Sequence, residues 1–454
     1  MAKKLWGGRF KKEIDKDFFE FQKSIQYDYR LAEYDIYHSL IHITTLKKAG
    51  ILKTGEWRKL SSLFKEILTE IREGKFKPDM NSEDIHTEIQ NRIEKKAGAL
   101  ALKLHTLRSR NDQIVFDEKW YCAKKSLDIL ELQRQINLSF VHLIEHYPKQ
   151  YFVGYTHTQR AQVISFVGYV HAYVEMFHRD YSRLNNYITN LFIYIGAGAL
   201  AGTSLQKKHY NEAIKESLSS IGAGMVKMTT DALGNVSDRD FIIEFLSILS
   251  IVQMHLSRLA DDFILYSTKE FNFIDLPEEF CTGSSLMPHK KNPDFLELVR
   301  GNTGRIYGNL MAILTTMKGL PLAYNRDMQL DKEPLFSSVE TIEAELKIMV
   351  RFIKGIKLNT EVIAEALKDE SLYATELAEF LVYKGIPFKE AHTLIGRLIR
   401  DSQDKNKEIK KMSDRELKGY HQELNKNVIQ KTMNPEYAVK SKKTSLRRIS
   451  TRTA

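Results

Sequence analysis

Residues 99–147 read ALALKLHTLR SRNDQIVFDE KWYCAKKSLD ILELQRQINL SFVHLIEHY. This stretch lies between Gly98 and Pro148 and contains neither glycine nor proline. Both residue types destabilise helix interiors, and a strand of this length would lie far outside the usual range. The stretch therefore predicts one long α-helix and is the first indication of an all-α fold.

Four more stretches are predicted as long helices. Glycine and proline are absent between Gly234 and Pro277, a single glycine interrupts Thr156–Ile195, and two more helices are predicted from Pro293 to Met317 and from Pro334 to Ile353. Five long helices in the middle of a chain are typical of an elongated bundle. Shorter helical patterns flank them on both sides. The sequence thus predicts an N-terminal helical domain (1–109), a central long-helix bundle (110–356) and a C-terminal helical domain with a basic tail (357–454).

Composition narrows the class of protein. The 454 residues are 43% hydrophobic and 28% charged, with a net charge of +10. Two cysteines exclude a disulfide framework or a multi-cysteine metal site. The N-terminus has no apolar run typical of a signal peptide, and no uninterrupted apolar stretch is long enough to span a membrane. We expect a cytoplasmic protein, with no membrane partner. The tail 438–454 is basic and contains no acid, but no nucleic-acid motif accompanies it.

The segment Gly283–Asp294 (GSSLMPHKKNPD) combines a flexible, hydroxyl-bearing loop with a predicted helix start. Asn292 is expected to cap this helix and Pro293 to take its first position. A helix N-terminus binds anions, and Lys290 adds positive charge beside it. A serine near cations and free N–H groups can be stabilised as an alkoxide. The segment predicts a reactive serine; an ordinary capped loop is the alternative.

Three other polar segments carry residues that transfer protons or bind anions. His157 in Gly154–Arg160 (GYTHTQR) is expected at a loop-to-helix junction, where an imidazole can transfer protons near neutral pH. A structural or surface histidine is the alternative. Arg110 and Asn111 at a helix start predict either a carboxylate clamp or an exposed cap. Residues Ser82–Thr87 (SEDIHT) fit an N-cap with a surface histidine.

Two further loops are polar or glycine-rich. Tyr324–Gln329 (YNRDMQ) is dense in hydrogen-bonding groups. Gly196–Gly202 (GAGALAG) follows no predicted strand, so we exclude a nucleotide-binding loop. No pattern of histidines and carboxylates has convincing metal-ligand spacing, and we expect neither a metal nor a cofactor.

Together these segments resemble the fumarase/aspartase superfamily, whose GSSxMPxKxNP signature corresponds to Gly283–Pro293. Within the superfamily, other segments are similar to the argininosuccinate lyase family in particular. They are LWGGRF (Leu5–Phe10), EDIHT (Glu83–Thr87), RSRNDQ (Arg108–Gln113), GYTH (Gly154–His157), GAGALAGT (Gly196–Thr203), VSDRDF (Val236–Phe241), GLPLAYNRDMQ (Gly319–Gln329) and PFKEAH (Pro387–His392). Adenylosuccinate lyase shares the serine loop but neither LWGGRF nor YNRDMQ.

The resemblance implies a carbon–nitrogen lyase that splits argininosuccinate into arginine and fumarate. It also implies a homotetramer whose helices form one large bundle and whose active sites each draw on three subunits. Ser284 would be the base on a mobile loop and His157, paired with Glu297, the acid or proton relay, although these two roles could be exchanged; Lys290 completes the catalytic set. The implied substrate-binding residues are Ser24, His86, Arg110, Asn111, Thr156, Asn292, Tyr324, Gln329 and Lys332.

Two alternatives stay open. Another fumarate-releasing lyase of the superfamily, such as adenylosuccinate lyase, would share Ser284 and Lys290 but differ on the amine side of the site, at Tyr324, Gln329 and Lys332. An inactive structural relative would have lost chemical groups, and the four catalytic residues are all present. One departure lies beside a binding segment, because Leu107 stands where the family usually has glycine.

Overall fold

Helices dominate the computed structural model, which describes residues 12–218 and 224–444. They are α1 (Lys16–Gln22), α2 (Ile25–Asp28), α3 (Ala32–Lys48), α4 (Thr54–Arg72), α5 (Ile85–Ala97), α6 (Arg110–His146), α7 (Phe166–Asn190), α8 (Lys207–Ser217), α9 (Ala232–Ser237), α10 (Asp240–Ser267), α11 (Asp294–Met317), α12 (Lys332–Gly355), α13 (Thr360–Ala366), α14 (Ala374–Tyr383), α15 (Phe388–Asp404), α16 (Asp414–Lys418), α17 (Lys426–Thr432) and α18 (Pro435–Ser441). The predicted segment Leu5–Phe10 and the last residues of the basic tail lie outside the described residues.

The strands are short and few. They are β1 (Tyr151–Thr156), β2 (Gln159–Ser165), β3 (Ile193–Ile195), β4 (Val226–Met228), β5 (Ile274–Asp275) and β6 (Lys357–Leu358). β1 and β2 form an antiparallel hairpin, β3 and β4 a parallel pair, and β5 and β6 a second antiparallel pair. The predicted all-α class is therefore confirmed, with three small two-stranded sheets in the described part of the chain.

Four of the five predicted long helices form. The stretch that lacks glycine and proline after Gly98 contains α6, a helix of 37 residues, but the prediction is wrong for its first part: Gly98–His105 form a 3-10 helix and α6 begins only at Arg110. α10, α11 and α12 span 28, 24 and 24 residues. Pro334 lies in the first turn of α12, where a missing backbone N–H is tolerated.

The fifth predicted helix, Thr156–Ile195, is wrong in its first part. β1 and β2 form a hairpin there, and helix α7 begins only at Phe166. Phe152 explains the extended backbone, because its ring is fully buried against Tyr266 and Phe273, with centroids 5.2 and 5.5 Å away. This packing of an aromatic cluster outweighs the helical tendency of a stretch that has a single glycine.

The chain forms two compact units, each assembled from three separate segments. Within the described residues, the first unit comprises 12–130, 182–251 and 303–343, and the second comprises 131–181, 252–302 and 344–444. The division into N-terminal, central and C-terminal domains stays a prediction. The shortening of the helices after 357 is confirmed: α14 and α15 span 10 and 17 residues, and Gly385 and Pro387 lie between them.

α10 is the one described helix that is long and apolar enough to cross a membrane by length and composition, with 61% of its most apolar window buried inside the protein. Buried helices of globular cores pass the same criterion, so this helix alone is weak evidence for a membrane span. Leu246, Leu249 and Val252 on this helix are fully buried. The helix packs as a core element.

Candidate active site

A large cleft in the first unit brings together seven of the predicted binding residues. It has a volume of about 2320 Å³. Its lining includes Ser24, His86, Arg110, Asn111, Tyr324, Gln329 and Lys332, which come from segments far apart in sequence. The fold thus assembles most of the predicted substrate-binding set at one place.

The floor of this cleft contains hydrogen-bonded carboxylates. Ser24 donates from Oγ to Asp28 at 2.6 Å, and the second oxygen of Asp28 accepts from the backbone N–H of Ile85 at 3.1 Å. Burial, together with the charge of Asp84, raises the pKa of Asp28 to about 6. These bonds connect the start of α2 to the start of α5, where Asp84 caps the helix through the N–H of Thr87 at 2.8 Å.

The predicted clamp at the start of α6 already has partners within the chain. Arg110 pairs with the carboxylate of Asp84 and donates to Thr87 Oγ1 at 3.3 Å. Asn111 donates from Nδ2 to the carbonyl of Ala199 at 3.0 Å. A substrate carboxylate at this clamp would have to exchange with these internal acceptors.

The segment after Tyr324 closes another side of the cleft. Gln329 donates from Nε2 to the carbonyl of Gln22 at 3.0 Å. The ammonium of Lys332 is buried, 2.6 Å from Glu118 Oε1 and 2.8 Å from Asp331 Oδ1. Burial raises the pKa of Tyr324, although Lys332 opposes the change.

Arg239 completes a buried charge network with Glu118, Asp331 and Lys332. Its guanidinium pairs with Asp331 and lies 3.3 Å from Glu118, and all three side chains are fully buried. Burial and the charge of Asp331 raise the pKa of Glu118 to about 7, whereas Lys332 and Arg239 lower that of Asp331 against its burial. Beyond the VSDRDF resemblance, no sequence pattern indicates this network, since charged residues on long helices usually face solvent.

The serine loop lies in the second unit. Ser284 Oγ accepts hydrogen bonds from the backbone N–H groups of Leu286 at 3.3 Å and Met287 at 3.1 Å. Two N–H donors aimed at one hydroxyl oxygen favour its deprotonated form. Lys290 is exposed on the same loop.

The predicted cap at Asn292 is wrong. α11 begins at Asp294, and the backbone of Asn292 pairs instead with Thr282, with N–H to O distances of 2.8 and 3.2 Å. The Asn292 amide donates to the carbonyl of Gly283 at 3.3 Å, and Asp294 accepts from Thr282. The bridge between the two ends of the loop takes the place of the cap.

His157 occupies the tip of the β1–β2 hairpin, so its expected place at a loop-to-helix junction is wrong. His157 and Thr158 form a two-residue turn with φ angles of 52° and 57°. Such turns need positive φ at both positions because their twist matches that of the strands. Thr156 pairs with Gln159 across the turn, and the imidazole is exposed.

Glu297 lies in the first turn of α11 and is exposed. Among the described residues, no hydrogen bond or ion pair joins His157 to Glu297 within one chain. Thr156, His157, Ser284, Lys290, Asn292 and Glu297 all belong to the second unit, whereas the cleft residues belong to the first.

Two predictions about loops are wrong. The sequence predicted a surface histidine at position 86, but His86 is buried, with 4% of its area exposed; the N-cap ahead of it is present as expected, at Asp84. Strand β3 immediately precedes Gly196, contrary to the sequence analysis. The N–H groups of Gly196 and Ala197 donate to the Asp112 carboxylate at 2.9 and 3.1 Å, so a protein carboxylate occupies the place that a phosphate takes in nucleotide-binding loops.

One cluster in the described chain has metal-like spacing. Ligand atoms of Asp35, His86 and Asp117 lie within 4.8 Å of one another. However, the Asp35 oxygen nearest His86 also accepts from Gln113 at 2.7 Å, and the charge of Arg108 acts on the same carboxylate. We therefore assign this cluster to hydrogen bonding.

Comparison with known proteins identifies the family. A family model described as lyase matches residues 8–308, and one described as argininosuccinate lyase C-terminal matches residues 371–440. The argininosuccinate lyase of Caldanaerobacter subterraneus subsp. tengcongensis is 45% identical over 94% of this chain and 95% of its own. That of Carboxydothermus hydrogenoformans is 43% identical over 91% and 90%.

Solved structures agree at the level of the fold. An EDDS lyase variant with bound fumarate superimposes with a TM-score of 0.76 at 20% identity, covering 92% of this chain and 83% of the other. A class II fumarase from Schistosoma mansoni gives 0.75 at 15% identity, covering 92% and 93%. The fold and the matching family model thus define a lyase of the fumarase/aspartase superfamily. Its near full-length relatives and its C-terminal match are more specific: the chain belongs to the argininosuccinate lyase family.

Proposed function

We propose that this protein cleaves argininosuccinate to arginine and fumarate by β-elimination. The observation that carries the proposal is the cleft in which seven predicted binding residues meet, in a chain of the argininosuccinate lyase family. The substrate has carboxylates at both ends and a guanidinium-type nitrogen between them. The cleft offers both kinds of partner, since Arg110 and Asn111 can donate to carboxylates and Asp84 and Glu83 can accept from cationic nitrogen.

The chemistry requires a base for a weakly acidic proton next to a carboxylate. We assign this base to Ser284, because the N–H groups of Leu286 and Met287 stabilise a negative charge on its oxygen. Lys290 on the same loop would stabilise the charge that develops on the substrate carboxylate. Loop movement would bring the serine to the substrate and exclude water.

The departing arginine nitrogen needs a proton or a well-placed donor. We assign this role to His157, oriented by Glu297, with Thr156 and Asn292 as neighbouring substrate contacts. The exposed imidazole at a hairpin tip is suited to reach a neighbouring subunit. The base and acid roles of Ser284 and His157 could be exchanged without changing the set.

We also propose a homotetramer with each active site built from three subunits. Helix α11 supports this proposal, because Tyr307, Met311 and Leu314 expose 45%, 63% and 41% of their area along one face. Gly304 and Gly308 on the same face have nothing within 4 Å of an added Cβ, which leaves room for a close-packed helix from another copy. We expect the tetramer to be cytoplasmic, which suits the free thiols of Cys122 and Cys281.

The first test follows fumarate by its ultraviolet absorbance when the purified protein meets argininosuccinate, with adenylosuccinate in parallel. We expect fumarate from argininosuccinate alone. Fumarate from adenylosuccinate alone would assign another superfamily lyase, and fumarate from neither would support an inactive structural relative. Mass measurement in solution tests the tetramer in the same preparation.

A further inference from the structure

Helix α3 carries a buried polar face beneath the cleft. Asp35, His38, Ser39 and His42 recur at helical spacing, and each is at most 1% exposed. Burying polar groups costs free energy unless they are hydrogen-bonded, so a buried polar face indicates specific partners. None of these residues belongs to the predicted site.

Most of this face contacts the binding segment that leads into α6. His42 Nε2 lies 3.0 Å from the carbonyl of Thr106, and Ser39 Oγ accepts from Arg108 at 2.9 Å. His38 Nε2 is 3.7 Å from Asp112. The helix therefore fixes residues 106–112 from below, while Arg110 and Asn111 face the cleft.

Asp35 connects this segment to a second one. Its Oδ1 lies 2.9 Å from His86 Nδ1 and accepts from Gln113 Nε2 at 2.7 Å. A carboxylate at this distance requires a proton on Nδ1 of the imidazole. Nε2 is then the ring nitrogen left to the cleft that His86 lines.

We infer that Asp35 is a positioning residue of the cleft: its hydrogen bond fixes the orientation of His86 and presents Nε2 of the ring to the substrate. The inference rests on the proposed function and extends it to a residue that does not touch the substrate. Its chemical basis is the same as in other carboxylate–histidine pairs, in which the carboxylate selects the tautomer and fixes the orientation of the ring.

The other groups around His86 single out Asp35 as the source of this effect. Asp117 on α6 lies 3.7 Å from Nδ1, but burial and the charges of Asp35 and Glu118 raise its pKa well above its ordinary value, which disfavours its charged form. Asp28, His105 and Asp84, which pairs with Arg110, also interact electrostatically with the ring, and Arg108 interacts with Asp35.

These neighbours differ in charge. Burial raises the pKa of Asp28 to about 6, and burial with the nearby arginines lowers that of His105 to about 3. Burial also opposes the charged form of Asp35, but His86 and Arg108 outweigh it and hold the pKa of this carboxyl below its ordinary value. Asp35 is thus the charged carboxylate at hydrogen-bond distance from the ring.

The test compares two isosteric substitutions, Asp35→Asn and Asp117→Asn, by KM and kcat for argininosuccinate at one fixed pH. In Asp35→Asn the amide oxygen can still accept both hydrogen bonds but carries no charge, so the bond that holds the His86 ring is weaker. We expect KM to rise about tenfold, with kcat changed little. Asp117→Asn should leave both constants in place.

The outcomes separate this inference from the proposed function. A wild-type protein that releases no fumarate removes the proposed function itself. An active wild type whose KM is unchanged in Asp35→Asn overturns the role of Asp35, as does an equal rise in Asp117→Asn. If Asp35→Asn does not fold, His86→Gln serves instead: a KM rise of similar size supports the inference, and an unchanged KM refutes it.

Discussion

Glu345 on α12 allows a quantitative prediction about stability and pH. Its carboxylate is 5% exposed and accepts from Gln253 Nε2 and Asn302 Nδ2, both at 2.8 Å. Burial raises its pKa from 4.5 to about 7, although both amides oppose the rise. The native state therefore prefers the neutral carboxyl.

The sign of the effect follows from this preference. Because the folded pKa is higher than the unfolded one, the stabilisation is fully present below pH 4.5 and is lost as the pH rises through about 7. A rise of about 2.5 in pKa corresponds to about 3 kcal/mol at about 1.4 kcal/mol for each tenfold change. Glu345→Gln removes the titration and keeps the shape of the side chain.

The assay is urea unfolding followed by helical circular dichroism at pH 5, 6, 7 and 8, at one fixed protein concentration because assembly affects apparent stability. Between pH 5 and 8, the variant should gain about 2–3 kcal/mol of unfolding free energy relative to the wild type, because a small part of the change already occurs below pH 5. Glu361→Gln, an exposed position on α13, is the control and should show no such gain. Parallel pH curves for wild type and Glu345→Gln would refute the reasoning.

Four further outcomes are expected. Ser284→Ala should abolish fumarate release while the mass in solution stays that of the wild type; near-normal turnover would remove Ser284 from the base role. His157→Asn should lower kcat by orders of magnitude with an unchanged melting temperature, because asparagine tolerates the positive φ of the turn; unfolding of this variant would indicate a structural histidine. Arg239→Met should cost about 3–5 kcal/mol in urea unfolding, since Glu118 and Asp331 would share one cation; a loss below about 1 kcal/mol would contradict the network. Leu107→Gly should stabilise by about 1 kcal/mol, because its φ of 58° is unfavourable for a branched side chain; a lower urea midpoint would show that leucine packing matters more.

The sequence predicted the helices well where a single rule applied. α6 and α10 follow from the absence of glycine and proline, since no competing signal is present. The hairpin of β1 and β2 was missed because the same rule predicted a helix there, and because its turn is His157-Thr158 instead of the usual asparagine and glycine. Only the packing of Phe152 against distant rings reveals the strands.

The site was predicted through family segments and not through physical pattern. Ser24 and Tyr324 lie far apart in the chain, and nothing in their spacing shows that both line one cleft. The supporting charges were not predicted at all. Asp35 and Glu118 lie on helices where a carboxylate ordinarily faces water, and their burial depends on partners such as His86 and Lys332 from other segments.

The internal partners of the cleft residues have a consequence for selectivity. Arg110, Asn111 and Gln329 already satisfy donors against Asp84, Ala199 and Gln22, so a ligand gains only the difference between new bonds and those it displaces. A small dicarboxylate that reaches one donor exchanges one bond for another of similar strength. A longer molecule that contacts all three donors at once replaces the three internal bonds together, and it also buries more of its own surface. The cleft therefore favours long ligands over short ones. Fragments of the substrate should bind far more weakly than the number of contacts they keep would predict.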